Sequence, residues 1–164
     1  MPDLGTFYST MAQVSFTLLG LWWVVVQFKH AEWMARRRQR QMAYHTSLFF
    51  LLPGVMSLVA LVSLTSHLVW RVAFTSAAVF GLIASILVLT TSKEDEHKSP
   101  AIMLAHTAGL VFYVLLIAVA LVPTIPQDLH IHLTGLQAEA TLLALVVFLG
   151  VNSTWLQFAR LGNE

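Results

Sequence analysis

Five long stretches of this chain carry no charged side chain: 4–28, 41–70, 72–92, 99–127 and 140–159. About 20 mostly apolar residues cross the hydrocarbon core of a bilayer. Inside that core every backbone N–H and C=O must be satisfied within the segment, so a helix is the only open-chain solution. The windows therefore predict five transmembrane helices, near 9–28, 45–66, 68–91, 100–122 and 136–158, forming one all-α domain over 1–164. Composition agrees: charged residues make up 10% of the chain and hydrophobic ones 57%, and so few charges cannot clothe a water-facing surface, where about 25% is usual. The first window reads as a span rather than a cleaved leader, because its basic residues follow the apolar run instead of preceding it.

Helix punctuation supports these limits. Ser99-Pro100 offers a hydroxyl N-cap followed by Pro at the first helical position. Thr134-Gly135-Leu136-Gln137 has the spacing of a capping box. Pro123 and Pro126 end the fourth helix, and Pro53-Gly54 falls inside the second, where the missing donor predicts a kink.

The basic residues set the orientation. With the N-terminus outside, the cytoplasmic flanks hold Lys29, Arg36, Arg37, Arg38, Arg40, Lys93, Lys98 and Arg160, and only Arg71 is left outside. A split of eight to one is a strong positive-inside signal. It makes 29–44 a basic cytoplasmic segment and places the C-terminus inside. Trp33, Tyr44 and Trp155 then fall near the inner interface, and Tyr8 and Trp70 near the outer one, as amphipathic rings prefer. Between helices, lipid supplies no hydrophobic drive, so small residues mark the faces that pack closely. Ala73, Ala77, Gly81 and Ser85 recur at four-residue spacing on the third helix, and Ala101, Ala105 and Gly109 on the fourth. The mixed-sign run Lys93–Lys98 reads as a solvated turn.

Several constellations carry chemistry. Gln13, Thr17, Gly20, Val24 and Gln27 alternate in steps of four and three, which places them on one face of the first helix. Amides facing lipid are costly, so this stripe either lines a pore repeated around an oligomer axis or bonds to another helix. If the helix runs on through the basic cluster, the same face next presents Arg38. Arg36, Arg37, Arg38 and Arg40 anchor the topology and suit anionic lipid headgroups; at a pore mouth they would concentrate anions. In the outer loop, Asp128-Leu129-His130-Ile131-His132-Leu133 written as an extended segment sends Asp128, His130 and His132 to one side. With His67 they make a possible pH sensor, since imidazole titrates near neutrality, or a zinc site; the plain alternative is a polar loop edge. His106 lies inside the fourth helix with Tyr113 two turns on, but bis-histidine haem needs a partner at equal depth, and His45 is expected at the very end of its helix. Glu139, one turn into the fifth helix, faces a water-filled vestibule or the interface. Asn152, Ser153 and Thr154 read as interhelical donors or a frayed end.

These features exclude more functions than they select. No HExxH, no paired intramembrane carboxylates and no nucleophile–base spacing occur, so no enzyme and no cofactor are expected. The absence of cysteine removes thiolate metal sites and disulfides. Nine basic against eight acidic residues give no reason to expect nucleic acid. Two readings remain. One is a homo-oligomeric ion channel in the plasma (inner) membrane, lined by the first helix and favouring anions. The other is a non-catalytic membrane subunit or scaffold packed against a partner. The topology is testable directly: a reporter fused after Glu164 is expected to be active only on the cytoplasmic side, and activity on the far side would mean a miscounted helix.

Overall fold

The computed structural model describes residues 4–28, 37–62, 67–91, 100–128, 130 and 132–161. Every regular element among them is a helix. In chain order these are α1 Leu4–Phe28, α2 Arg37–Val62, α3 His67–Thr91, α4 Pro100–Leu121, the short α5 Ile125–Asp128, and α6 Gly135–Leu161. Four are long and apolar enough to cross a membrane, over Leu4–Phe28, Gln39–Val62, Leu68–Thr90 and Gly135–Gln157. They point to an integral membrane protein. The fourth helix has 22 residues, and the part of it that reads as apolar among the described residues is Thr107–Leu121.

Two boundaries differ from the hydropathy reading. Helix α1 begins at Leu4 rather than near 9, and α2 begins at Arg37 rather than near 45. Hydropathy marks where a helix can lie in lipid, not where it starts. Arg, Gln, Met and Ala are good helix formers, so α2 runs out of its apolar stretch into the basic cluster without a break. Pro53 does sit inside it. The capping box at the head of α6 closes as its spacing predicts: Thr134 N donates to Gln137 Oε1 at 2.9 Å, and Gln137 N to Thr134 Oγ1 at 3.3 Å. Ser99, Trp33 and Lys93–Lys98 lie outside the described residues.

Pairings of side chains make the bundle up-and-down. Trp22 of α1 bonds Ala43 of α2, while Gly54 of α2 meets Ser15 and Phe16 of α1. The same reversal links α2 to α3 through His45–Ser85 and Leu52–Gly81 and α2 to α6 through Thr46–Gln157, while Tyr8–Leu136 sets α6 parallel to α1. We call the end holding Leu4, Val62, Leu121 and Gly135 the upper end, and the other the lower end.

Helix α2 is the core element: 67% of its apolar stretch is buried, against 28% for α1 and α3. Its centre is Phe49, which fits against two glycines. A Cβ added to Gly109 of α4 would stand 2.8 Å from Phe49 Cε1, and one added to Gly150 of α6 would stand 2.8 Å from its Cβ. Tyr113 stacks on the same ring at 6.4 Å between centroids, and His45 meets it edge-on at 4.9 Å. Gly81 does on α3 what Gly109 does on α4, receiving Tyr113 and Leu52. Gly81 and Gly109, one from each small-residue face read from the sequence, thus pack within the chain.

A Cβ at Gly81 would lie 2.5 Å from Tyr113 Cε1, and Tyr113 is itself locked against Phe49. Gly81→Leu is expected to lower stability by more than the roughly 1–3 kcal/mol typical of overpacking. Gly20→Ala, with nothing within 4 Å, is the control and is expected to be neutral or slightly stabilising, since Ala outranks Gly in helices by about 1 kcal/mol. Thermal unfolding in detergent distinguishes the two; equal melting temperatures would contradict this packing.

Candidate functional site

Helix α1 is attached along one side only. Tyr8, Ala12, Ser15, Trp22 and Val26 are buried, and a turn of about 100° per residue puts the opposite side at Gln13, Thr17, Gly20, Val24 and Gln27. All five are exposed, and a Cβ at Gly20 would meet nothing within 4 Å. Continuing the alternation toward the N-terminus reaches Thr10 and Thr6, also exposed. Thr6 precedes the helix start that hydropathy indicated, and the unbroken spacing of 6, 10, 13, 17, 20, 24 and 27 was the signal for it. Among the described residues the one side-chain bond on this face is local, Gln13 Nε2 to Ser9 Oγ at 3.4 Å. Apolar Val14, Phe16, Leu21 and Trp23 flank it on both sides, each exposed. The polar face is therefore not glue between helices of one chain, and it confronts whatever lies outside the bundle.

Two hydrogen bonds hold α1 in this attitude, one at each end. Tyr8 Oη donates to the Leu136 carbonyl of α6 at 2.9 Å, and Trp22 Nε1 donates to the Ala43 carbonyl of α2 at 3.0 Å. The second bond also corrects the placement of Arg38. Arg38 does not continue the α1 stripe; it belongs to the first turn of α2, which runs back antiparallel beside α1. Arg37, Arg38 and Arg40 start that helix at the lower end, where α1 finishes, and Arg40 is exposed. Arg36 lies outside the described residues, as do the side chains of Arg37 and Arg38.

The loop before α6 departs from the extended reading. Asp128 closes helix α5, with its N–H bonded to Thr124 O at 2.9 Å, and His130 turns through a left-handed φ of 58° with its N–H on Gln127 O. A helical turn and a left-handed residue destroy the period-two alternation that aligned Asp128, His130 and His132. The three side chains are exposed. His67 begins α3, and its side chain is outside the described part. Among the described residues no three His, Asp or Glu side chains converge as a metal would need. Arg71 has a defined role nearby: its guanidinium donates to the carbonyls of Ala120, at 3.0 Å, and Leu121. That caps the C-terminal end of α4, where carbonyls lack helical partners and a cation is favoured.

Buried polar groups occur at both ends of the bundle and, at Ser15, in the middle of α1. At the upper end Glu139 is 0% exposed and accepts the Trp70 indole N–H at 2.8 Å. It faces neither a vestibule nor the interface. Tyr8 and Trp70, at 0% and 4% exposure, are likewise inside the bundle and not part of an interfacial belt; Trp155, 70% exposed, and Tyr44 keep the surface position the belt requires. At the lower end His45 lies well inside α2 and is buried, with Nε2 3.1 Å from Ser85 Oγ. Ser85 Oγ also bonds the Gly81 carbonyl one turn back at 2.8 Å. His45 is thus a core residue rather than the helix-end residue expected. The His106 side chain is outside the described residues. Asn152 and Thr154 bond the carbonyls one turn back, Phe148 and Gly150, and so stitch their own helix rather than a neighbour.

Replacing Trp22 with Phe keeps most of the packing but removes the lower tie of α1. Ala43 O keeps a second donor, Ser47 Oγ at 3.0 Å, so no acceptor is orphaned. The loss is expected at the ordinary value for a hydrogen bond, about 0.5–1.5 kcal/mol, measured by unfolding in detergent. A loss above about 3 kcal/mol would mean that the ring's packing, not the bond, holds the helix.

Compared with protein-family models, with curated proteins and with solved structures, the chain matches none.

Proposed function

We propose that this protein is one subunit of a homo-oligomeric ion channel in which α1 from each copy faces a central axis. The carrying observation is the polar face of α1, Thr6 to Gln27, exposed on the side opposite the bundle. A hydroxyl and amide face turned to hydrocarbon is costly; turned to a shared aqueous axis it is hydrated. Its apolar flanks, Val14 and Leu21 on one side and Phe16 and Trp23 on the other, are the surfaces by which neighbouring α1 helices would touch. All five long helices cross the plasma membrane in this reading, with the N-terminus outside and the lower end in the cytoplasm, as the distribution of Lys and Arg favours.

Chemistry along the axis follows from the residue types. Gln13, Thr17 and Gln27 carry no fixed charge and replace part of an ion's hydration. Val24 supplies a dry constriction that gates by dewetting. The start of α2, with Arg37, Arg38 and Arg40, stands at the lower mouth and favours anions there, or binds anionic headgroups where it meets lipid. The other reading is a scaffold whose polar face meets a different membrane protein.

The chain has no native cysteine, so single cysteines report cleanly. In membranes, water-soluble thiol reagents are expected to modify positions 13, 17, 20 and 27, and to spare the buried positions 12 and 22 and position 21 on the apolar flank. Val24→Ser is expected to raise conductance in bilayer recordings. A monomeric mass in mild detergent, together with silent recordings, would remove the channel and leave the scaffold.

A further inference from the structure

Glu139 is the one described carboxyl buried in the interior, and its surroundings are incomplete. An ionised carboxylate offers about four acceptor positions. Here Oε2 receives the Trp70 indole at 2.8 Å, while Oε1 is buried with no hydrogen-bond partner. The nearest cation in sequence to Trp70 is Arg71, and it is turned to the carbonyls at the end of α4. From α1, Tyr8 reaches the same turn of α6, but its proton goes to Leu136 O, three residues before Glu139. On α2 and α4 the buried apolar side chains toward the upper end include Ala60, Leu116 and Ala120; the buried polar atoms of these helices there, Ser57 Oγ and Tyr113 Oη, make no hydrogen bond to Glu139.

We infer that Glu139 is a proton-binding site, a carboxyl that exchanges one proton with water at the upper end of the bundle. An unpaired oxygen of an ionised carboxylate among apolar groups carries the full desolvation cost of that charge. A metal ion would need several oxygen ligands and room for them; the site shows one carboxyl, fully enclosed. A proton needs neither. The step is balanced by water alone: hydronium at the surface gives up its proton, a new O–H bond forms at Oε1, and one water remains; release is the reverse. Glu139 lies one turn inside the first residue of α6, which keeps the path to that surface short. Its neighbours Trp70 and Tyr8 connect α3 and α1 to this turn, so the charge of the site acts on the upper tie of α1. The inference stands on the geometry of this cluster and does not require the channel.

Infrared spectra of the full chain in lipid vesicles, taken from about pH 4 to pH 10 to span ordinary and strongly displaced carboxyl titrations, test it. The wild type is expected to show a protonated-carboxyl C=O band that is gained and lost across the range and that Glu139→Gln abolishes. Trp70→Phe retains the carboxyl but removes its indole donor; the band is expected to titrate still, at a displaced frequency. That displacement identifies the band as Glu139 even if Glu139→Gln fails to fold. A wild-type spectrum with no titrating carboxyl beyond those that persist in Glu139→Gln would overturn the proposal. So would a Trp70→Phe spectrum in which every titrating band keeps its wild-type position.

Discussion

The architecture depends on how closely the helices meet around Phe49. Lipid gives apolar helices no reason to leave it for one another, so association has to come from contact area and close approach. Gly109 admits the Phe49 ring, Gly150 admits the Phe49 Cβ and the Phe50 ring, and Gly81 admits Tyr113, which stacks on the Phe49 ring. Each glycine removes the Cβ that would otherwise hold two backbones apart. Four helices thereby share one aromatic centre, and α2, which carries Phe49, is the most buried of the four apolar spans.

Polar ties then fix what packing leaves free. They lie on both sides of the Phe49 ring: Tyr8–Leu136, Trp70–Glu139 and Arg71–Ala120 above, Trp22–Ala43, His45–Ser85 and Thr46–Gln157 below. All six join different helices, and three end on backbone carbonyls, whose positions a helix holds rigidly. Helix α1 gains most from this arrangement. It lies at the edge, with little of its surface buried, yet it is tied above and below. Its rotation is thereby set, and with it the direction of the face from Thr6 to Gln27. A helix free to turn would put its leucines to lipid and its amides inward; the two ties forbid that.

Much of this was legible in the chain. Charge-free windows located the helices because the cost of burying a charge in hydrocarbon outweighs any local preference. The capping box at Thr134 and the close approach at Gly81 follow from rules that act over a few residues, and each stands as its spacing indicated. The polar stripe on α1 was legible for the same reason, since a helix's period is a local property. The start of α2 was not, because helix propensity carries the backbone past the end of the apolar stretch and hydropathy is blind to that. The extended reading of Asp128–Leu133 failed because alternation along six residues says nothing about a left-handed turn at His130.

What only the tertiary structure decided is which partner each polar side chain has. Tyr8 and Trp70 have the composition of interfacial anchors, and Glu139 that of a helix-end acid near water; 131 and 69 residues of chain separate Tyr8 and Trp70 from Glu139, and no local pattern announces that the three meet on one turn of α6. The stripe was visible in sequence, but its direction was not, because a helix presents the same periodicity whichever way it is turned. Sequence alone determined that the chain is helical, apolar and built to cross a membrane, since those properties follow from the energetics of single residues in hydrocarbon. Tertiary packing determined that the amides of α1 point away from their own bundle and that a carboxyl lies inside it, since both depend on contacts between distant segments.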